Sequence, residues 1–523
     1  MRKFFINFYF IMNLAKNKKS NGLEGWLNKQ GFLFKIWNRR YFILKDTTLS
    51  YYLTPGGKCK GTIPLENSNI EMENDKKKEN AFKITTPNKI YHFYADTEEE
   101  LHSWLTALMI ANGQKIGKIG INDFDIIKVL GRGSLGKVQL ARYKKNGKYY
   151  ALKSMSKVKL EEINLVFQTL KERNALITIN HPFIVSAKYT FQTETAVFIA
   201  LDYVPGGELL KQLEIEGENN DYYDDVSDDS YNYSKSDDDM YSKSCDDSNS
   251  KSSCIELDLS TCNSITLYDD KNFGGFDLKR ARFYAAQLAL AIQYLHSVGF
   301  IHRDLKPSNI LIDVDGYIKL IDFGFVKEKM FGVFAKTSTF CGTPMYAAPE
   351  IIKRKPYGRS VDWWSFGIIL YEMIFYKPPF LSENLNTLFE LITKEKLSFP
   401  SYFTIEGQNN SKKHKEIPFM LVDFLNRLLE KDPHKRLGTF EEEEIFNHPF
   451  FEGIEWKKLL NKEIPMVWKP NLKDKDDVSN FYDQFTKEVP TVSVIDPLYV
   501  TDETNEAFSN FTYIDADGVL SNI

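Results

Sequence analysis

Apolar and polar residues alternate in short runs along the first part of the chain. Glu24-Gly-Trp-Leu-Asn-Lys29 and Arg40-Tyr-Phe-Ile-Leu44 read as half-buried strands, with turns at Pro55-Gly-Gly57 and Pro87-Asn88. From Thr97 the period becomes helical. Leu101, Trp104, Leu105 and Leu108 share one helix face, and Glu98 to Glu100 place negative charge in its first turn, where the helix dipole favours it. A second alternating stretch, Lys137 to Tyr143, leads into the hairpin signal Asn146-Gly147 and a return strand over Lys148 to Ser154. A long helical pattern covers Leu278 to His296. The patterns predict a strand-rich domain over 24–112, a linker over 113–123, a larger domain over 124–451 and a tail over 452–523 without a core of its own.

Composition adds an interruption. The chain has 523 residues and a formal charge of −4, but Glu214 to Asp270 holds 17 acids and 3 lysines, so this stretch carries −14 and the remainder +10. Such a polar stretch cannot bury enough apolar surface to offset its ordering entropy, and 214–272 is expected to be a disordered insertion in a surface loop. The mildly basic body suits phosphates or an anionic membrane, and charge alone supports nucleic acid equally. Three of the five cysteines (Cys245, Cys254, Cys262) fall in the acidic stretch, with no Cys-x-x-Cys pair, so neither a disulfide framework nor a zinc site is expected, and the compartment reads as reducing and intracellular. Residues 1–23 begin Met1-Arg-Lys and continue with an apolar run, Phe4 to Leu14, that looks like a signal yet is shorter than the roughly 20 residues a bilayer needs. They read as an unstructured or wrongly assigned start, with Met12 an alternative initiator.

The chemistry is carried by an ordered set: Gly131-Arg-Gly-Ser-Leu-Gly-Lys-Val138, Lys153, Glu172, His302-Arg-Asp-Leu-Lys-Pro-Ser-Asn309 and Asp322-Phe-Gly324. A glycine loop between a strand and a helix would suit a dinucleotide, but here strands flank it on both sides. The set resembles that of a protein kinase, which implies Mg-ATP as phosphate donor, Ser/Thr hydroxyls of protein substrates as acceptors and a bilobal α+β fold. By that resemblance Gly131, Arg132, Gly133, Ser134, Leu135, Gly136, Lys137 and Val138 cover the nucleotide, and Asp202, Val204 and Glu208 line its pocket. Lys153, held by Glu172, binds the α- and β-phosphates; Asp322 and Asn309 hold Mg²⁺; Asp304 serves the substrate hydroxyl, with Lys306 on the γ-phosphate. Ala348-Pro-Glu350 and Asp362-Trp-Trp364 anchor the substrate platform, with Arg436 pairing Glu350.

Residues 24–112, with Gly25-Trp26-Leu27 and the helical Trp104, resemble a pleckstrin-homology domain. The tail carries Phe481-Tyr-Asp-Gln-Phe485 and Phe508-Ser-Asn-Phe-Thr-Tyr513, the latter similar to the AGC-group motif that enters a pocket of the small lobe. In this order the parts resemble the protein kinase B (Akt/RAC) family of AGC kinases. The resemblance implies substrate arginines received by Glu208 and Glu372, although Ser308 and Met345 stand where relatives carry glutamates, so arginine three residues before the target should matter most. It implies phosphorylation by upstream kinases at Thr339, at Thr512 and at Ser493, where no proline follows, with Arg303 pairing the Thr339 phosphate and Gln168 replacing a histidine partner. It also implies a monomer without nucleic acid, cytoplasmic and recruited to the plasma membrane by phosphoinositide headgroups at Lys29 and Arg40, with Lys35 and Arg39 nearby. Asn38 and Thr85 replace basic residues of that site, and Arg39 should face away from Arg40. The alternative is an AGC kinase of another subfamily whose N-terminal domain docks protein.

Overall fold

The computed structural model describes residues 23–31, 36–73, 78, 80–112, 119–133, 136–219, 273–400, 403–405, 415–491, 500–509 and 511–514. Expectations for residues 1–22, for Lys35, Ser134, Leu135 and Ser493, and for residues 220–272 with their three cysteines lie outside the described residues.

Seven antiparallel strands build the N-terminal domain: β1 Glu24–Gln30, β2 Trp37–Lys45, β3 Thr48–Tyr52, β4 Cys59–Pro64, β5 Asn69–Met72, β6 Ala81–Thr86 and β7 Lys89–Tyr94, in the order β4-β3-β2-β1-β7-β6-β5. Alternation sends Leu27, Phe42, Leu44 and Phe93 to one side, where helix α1 (Glu98–Ala111) buries Leu101, Trp104, Leu105 and Leu108 against them. Phe42 meets Trp104 edge-on with ring centroids 6.3 Å apart. The strand-rich unit closed by a tryptophan-bearing helix is the expected one.

The second unit is bilobal. Its small lobe holds β8 Phe124–Gly133, β9 Gly136–Tyr143, β10 Tyr149–Ser156, β11 Ala187–Gln192 and β12 Ala196–Asp202, with helices α2 Lys157–Glu162 and α3 Val166–Thr178. The glycine loop therefore joins two paired strands, as the flanking patterns predict. Its last glycine is required by packing, since a Cβ at Gly136 would lie 1.7 Å from the Ser154 carbonyl oxygen. The large lobe is mainly helical, with α4 Leu209–Asn219, α5 Leu278–Ser297, α6 Ser360–Phe375 and α7 Phe419–Leu428, and the short pair β13 Ile310–Ile312 and β14 Ile318–Leu320. Every residue of α6 is buried, including both tryptophans of Asp362-Trp-Trp364, so this helix is the axis of the lobe.

One boundary needs correction. Residues 214–219, expected to begin the disordered insertion, are the last turns of α4. Their carboxylates find partners that composition does not reveal: Glu216 pairs with Arg280 at 2.7 Å, and Glu214 accepts from the Tyr482 hydroxyl at 3.1 Å. The described chain therefore continues through Asn219 and resumes at Phe273.

The tail lies on both lobes. Helix α8 (Asp502–Ala507) delivers Phe508 and Phe511 into full burial, and β15 (Tyr513–Ile514) then pairs with β11 at the sheet edge.

Candidate active site

Lys153 on β10 and Glu172 on α3 come together with Nζ and Oε1 2.6 Å apart, and Asp322 lies 3.8 Å from the same ammonium. Burial disfavours the ammonium, but the two carboxylates outweigh it and hold Lys153 above its ordinary pKa, hence charged. Asp322 is itself penalised by burial, yet Lys153 and the Gly324 amide, 3.1 Å from Oδ1, keep it below the usual carboxylate range. Both Asp322 (φ +60) and Arg303 (φ +72) sit in the left-handed backbone region, which costs a non-glycine residue of the order of 1 kcal/mol or more. The catalytic loop is held in that shape by the fully buried Asp362, whose oxygens accept the backbone N–H groups of His302 and Arg303, each at 2.9 Å. Asp362 is in turn bonded to His296, 2.9 Å away.

Beside Asp322, in the same lobe, Asp304 and Lys306 form a second cluster with a residue that no motif singles out. Thr343 donates its hydroxyl to Asp304 Oδ1 at 2.7 Å and its N–H to the same oxygen at 2.9 Å, and accepts from Lys306 Nζ at 2.9 Å. Lys306 also pairs with Asp304 at 3.1 Å. Asn309 Nδ2 donates to the Asp304 carbonyl at 2.9 Å and to its carboxylate at 3.2 Å, turning the amide oxygen the other way. Two oxygen ligands, Asp322 and Asn309, suit a hard cation that takes its remaining ligands from phosphates and water. A side chain at Gly131 or Gly133 would meet nothing within 4 Å, so the loop backbone is open to a phosphate.

Val204 is buried where β12 ends, and Asp202 accepts from Ser186 at 3.4 Å. The tail completes this side: Phe481 packs with Leu130, Leu140 and Val138 and stacks on Tyr203 with centroids 6.0 Å apart. Glu488 pairs with Arg132 at 2.9 Å, tying the tail to the glycine-loop strands.

The chain matches the protein kinase domain family over residues 124–227 and 241–451, the PH domain family over 21–111 and the protein kinase C terminal domain family over 472–513. It is 36% identical over 502 residues to the RAC family serine/threonine-protein kinase homolog of Dictyostelium discoideum, covering 94% of this chain and 97% of that protein. The chain belongs to the RAC family of AGC serine/threonine-protein kinases. The mouse RAC-beta serine/threonine-protein kinase is 30% identical over 543 residues, covering 94% and 97% of the two chains. The serine/threonine-protein kinase gad8 of Schizosaccharomyces pombe is 35% identical over 431 residues, covering 82% of this chain and 63% of its own.

In this kinase the residues expected to be phosphorylated and to receive substrate arginines are placed unevenly. Thr339 lies beside the catalytic loop: its carbonyl accepts from Tyr357 at 2.5 Å, and Tyr357 receives Arg303 at 3.1 Å. Gln168 does not reach toward Thr339; its amide donates to the Gly324 carbonyl. Thr512 is exposed, with Arg173 against its carbonyl at 3.4 Å. Glu208 is half-buried at the start of α4. Glu372 is 2% exposed and accepts from the Tyr346 hydroxyl at 2.7 Å, and burial pushes its carboxyl up to about 7. It is therefore sealed beneath Tyr346 in place of lining an open groove. Glu350 and Arg436 form the expected buried pair, bidentate at 2.6 and 2.9 Å.

In the PH domain, Lys29 and Arg40 lie on the inward face at the end where β1 passes into β2. Burial lowers the Lys29 pKa, and Lys89 and Arg40 lower it further. Lys89, at the start of β7, thus joins Lys29 and Arg40, and chain order gives no signal of it because β1 and β7 are neighbours only in the sheet. Arg39 faces away, as alternation requires, and pairs with Asp96 at 3.0 Å. Asn38 donates to the Ile36 carbonyl at 3.0 Å and closes the strand end in place of a cation. Among the described residues no helix is long and apolar enough to cross a membrane.

Proposed function

We propose that this kinase phosphorylates proteins carrying arginine upstream of the target Ser or Thr, is recruited from the cytoplasm to membranes by phosphoinositides, and is switched on by upstream kinases acting at Thr339 and Thr512. The observation that carries the catalytic part is the convergence of Lys153, Glu172 and Asp322, with Asp304, Lys306 and Thr343 beside Asp322. Lys153 takes the α- and β-phosphates, and Asp322 and Asn309 supply the oxygens for Mg²⁺, which neutralises charge on the phosphates when bound. The substrate hydroxyl attacks the γ-phosphorus, the bond to the β-phosphate oxygen breaks with its electron pair leaving on ADP, and Asp304 takes the hydroxyl proton. Lys306, steadied by Thr343, faces the transferring group.

Arginine three residues upstream is read mainly by Glu208, with Glu372 contributing in its ionised form as a guanidinium displaces Tyr346. A phosphate on Thr339 adds roughly −1.5 to −2 charges beside Arg303. At the PH domain, an inositol phosphate would relieve the mutual repulsion of Lys29, Arg40 and Lys89, which is the support for a headgroup there. Two measurements test the reading. Asp322→Ala and Lys153→Met should each lower phosphate transfer by orders of magnitude in a folded protein, and substantial turnover by either would refute the catalytic part. Flotation of the protein with liposomes of mono-, bis- and trisphosphorylated inositides should show binding that Arg40→Ala weakens. Binding no greater than to plain anionic liposomes would instead favour a protein-docking domain.

A further inference from the structure

The tail is read by side chain at Thr504, which donates to Glu161 at 2.8 Å, and at Asn505, which accepts from Lys157 at 2.8 Å, but at its two phenylalanines the pocket reads only rings and main chain. Phe508 and Phe511 are both 0% exposed, their rings edge-to-face at 5.4 Å. The polar contacts to this pair go to main-chain oxygens: Gln192 donates to the Phe508 carbonyl at 2.6 Å, and Arg173 donates to that of Phe511 at 3.2 Å, with Thr190 on the same oxygen. The cations above the rings, Lys157 over Phe508 and Arg173 over Phe511, each at 5.8 Å, are indifferent to which phenylalanines lie below. A segment offering two phenylalanines three apart on a turn meets the demands made at the rings, and the contacts of Thr504 and Asn505 favour the tail while it is docked.

The chain carries a second such segment. Phe331-Gly-Val-Phe334 has the same spacing, also sits on a turn, and precedes Thr339 in the activation segment. Phe331 is 64% exposed and Phe334 87% exposed, although both are large apolar side chains. Gly332, at φ +75, lies between them and leaves the turn free to adjust. The geometry points to Phe331 and Phe334 as a docking ligand for the Phe508/Phe511 pocket of a second copy of this kinase whose own tail has left it. The tail, being tethered, has an effective concentration in the millimolar range and keeps the pocket closed to other segments while it is docked. Release of the tail would then expose the pocket and allow two copies to meet through the loop that carries Thr339. This goes beyond the proposed regulation, because it requires neither phosphate nor lipid.

The test compares three full-length chains by sedimentation over a concentration series: wild type, Phe508→Ala with Phe511→Ala, and the same chain carrying Phe331→Ala and Phe334→Ala as well. We expect the wild type to stay monomeric, the vacated chain to self-associate, and the fourfold variant to lose that association. A labelled peptide of residues 326–338 should bind the vacated chain at least about tenfold tighter than the wild type, and should lose at least about thirtyfold when both phenylalanines are alanine. A peptide of residues 501–514 reports whether the vacated pocket is intact. If that tail peptide binds but the 326–338 peptide does not, or if the fourfold variant associates as strongly as the vacated chain, the inference is overturned. A chain ending at residue 500 repeats the comparison should the alanine substitutions collapse the pocket.

Discussion

Raising the pH should remove a charge from the centre of the large lobe, and the loss can be traced to one residue. His296 is fully buried between two carboxylates, with Nδ1 2.5 Å from Glu442 and Nε2 2.9 Å from Asp362. Burial alone would lower its pKa, but Glu442 and Asp362 together raise it from the ordinary 6.5 to about 9. A folded pKa above the unfolded one means stability that is fully present below about pH 6.5 and lost as pH rises through about 9. The displacement corresponds to about 3 kcal/mol at neutral pH. Other groups titrate in the same range, so the informative quantity is the difference from Glu442→Gln, which removes one carboxylate and leaves the shape. Asp362 keeps part of the stabilisation of the His296 charge, and Arg359, 3.7 Å from Glu442, loses a partner at every pH, so the substitution should cost about 2 kcal/mol near neutrality. The gap to wild type should narrow above about pH 10, where His296 is neutral in both, to the pH-independent part carried by Arg359. The assay is the calorimetric midpoint of the kinase transition at both pH values, since a two-domain chain has no single unfolding free energy. Phosphate transfer should fall alongside, because Asp362 holds the His302 and Arg303 amides. A Glu442→Gln protein as stable as wild type at neutral pH, or a gap that does not change with pH, would refute the reasoning.

Glu372 titrates near 7, so the KM for an arginine-bearing peptide should rise several-fold as pH falls from about 8 to about 6, and Glu372→Gln should flatten that dependence while raising KM throughout. Arg436→Leu leaves the buried Glu350 carboxylate unpaired and should cost about 3 to 5 kcal/mol, seen as a lowered melting temperature; an unchanged transition would contradict the buried pairing. Thr339→Ala should abolish most activity in a protein incubated with an activating kinase. Gln168→His should raise activity modestly, and only if the new imidazole leaves the Gly324 carbonyl and reaches the phosphate.

The elements that local periodicity marks are present in the fold. Periods of two and near four residues expose strands β1 and β2 and helices α1 and α5, because side-chain direction repeats along one element whatever lies beyond it. The catalytic motifs were legible for a related reason: phosphate and metal chemistry demands particular residue types in a fixed order along the chain. The family, its pleckstrin-homology domain and its tail followed from that order and are confirmed by the matches across the chain.

Contacts between distant segments that no motif marks were decided by tertiary structure alone. Glu442 is 146 residues from His296, and Thr343 is 39 from Asp304, so nothing in their own neighbourhoods marks them as partners. Lys89 joins Lys29 because the sheet brings β7 beside β1, and Phe481 reaches the cleft because the tail runs back over the small lobe. The acidic residues 214–219 show the same limit in reverse: composition marks them as unable to fold, while Arg280 and Tyr482, far along the chain, supply the partners that complete α4. Local pattern determines which elements form and which chemistry they carry. The path of the chain determines which charges and rings meet, since burial and pairing energies depend on distance in space and have no period along the sequence.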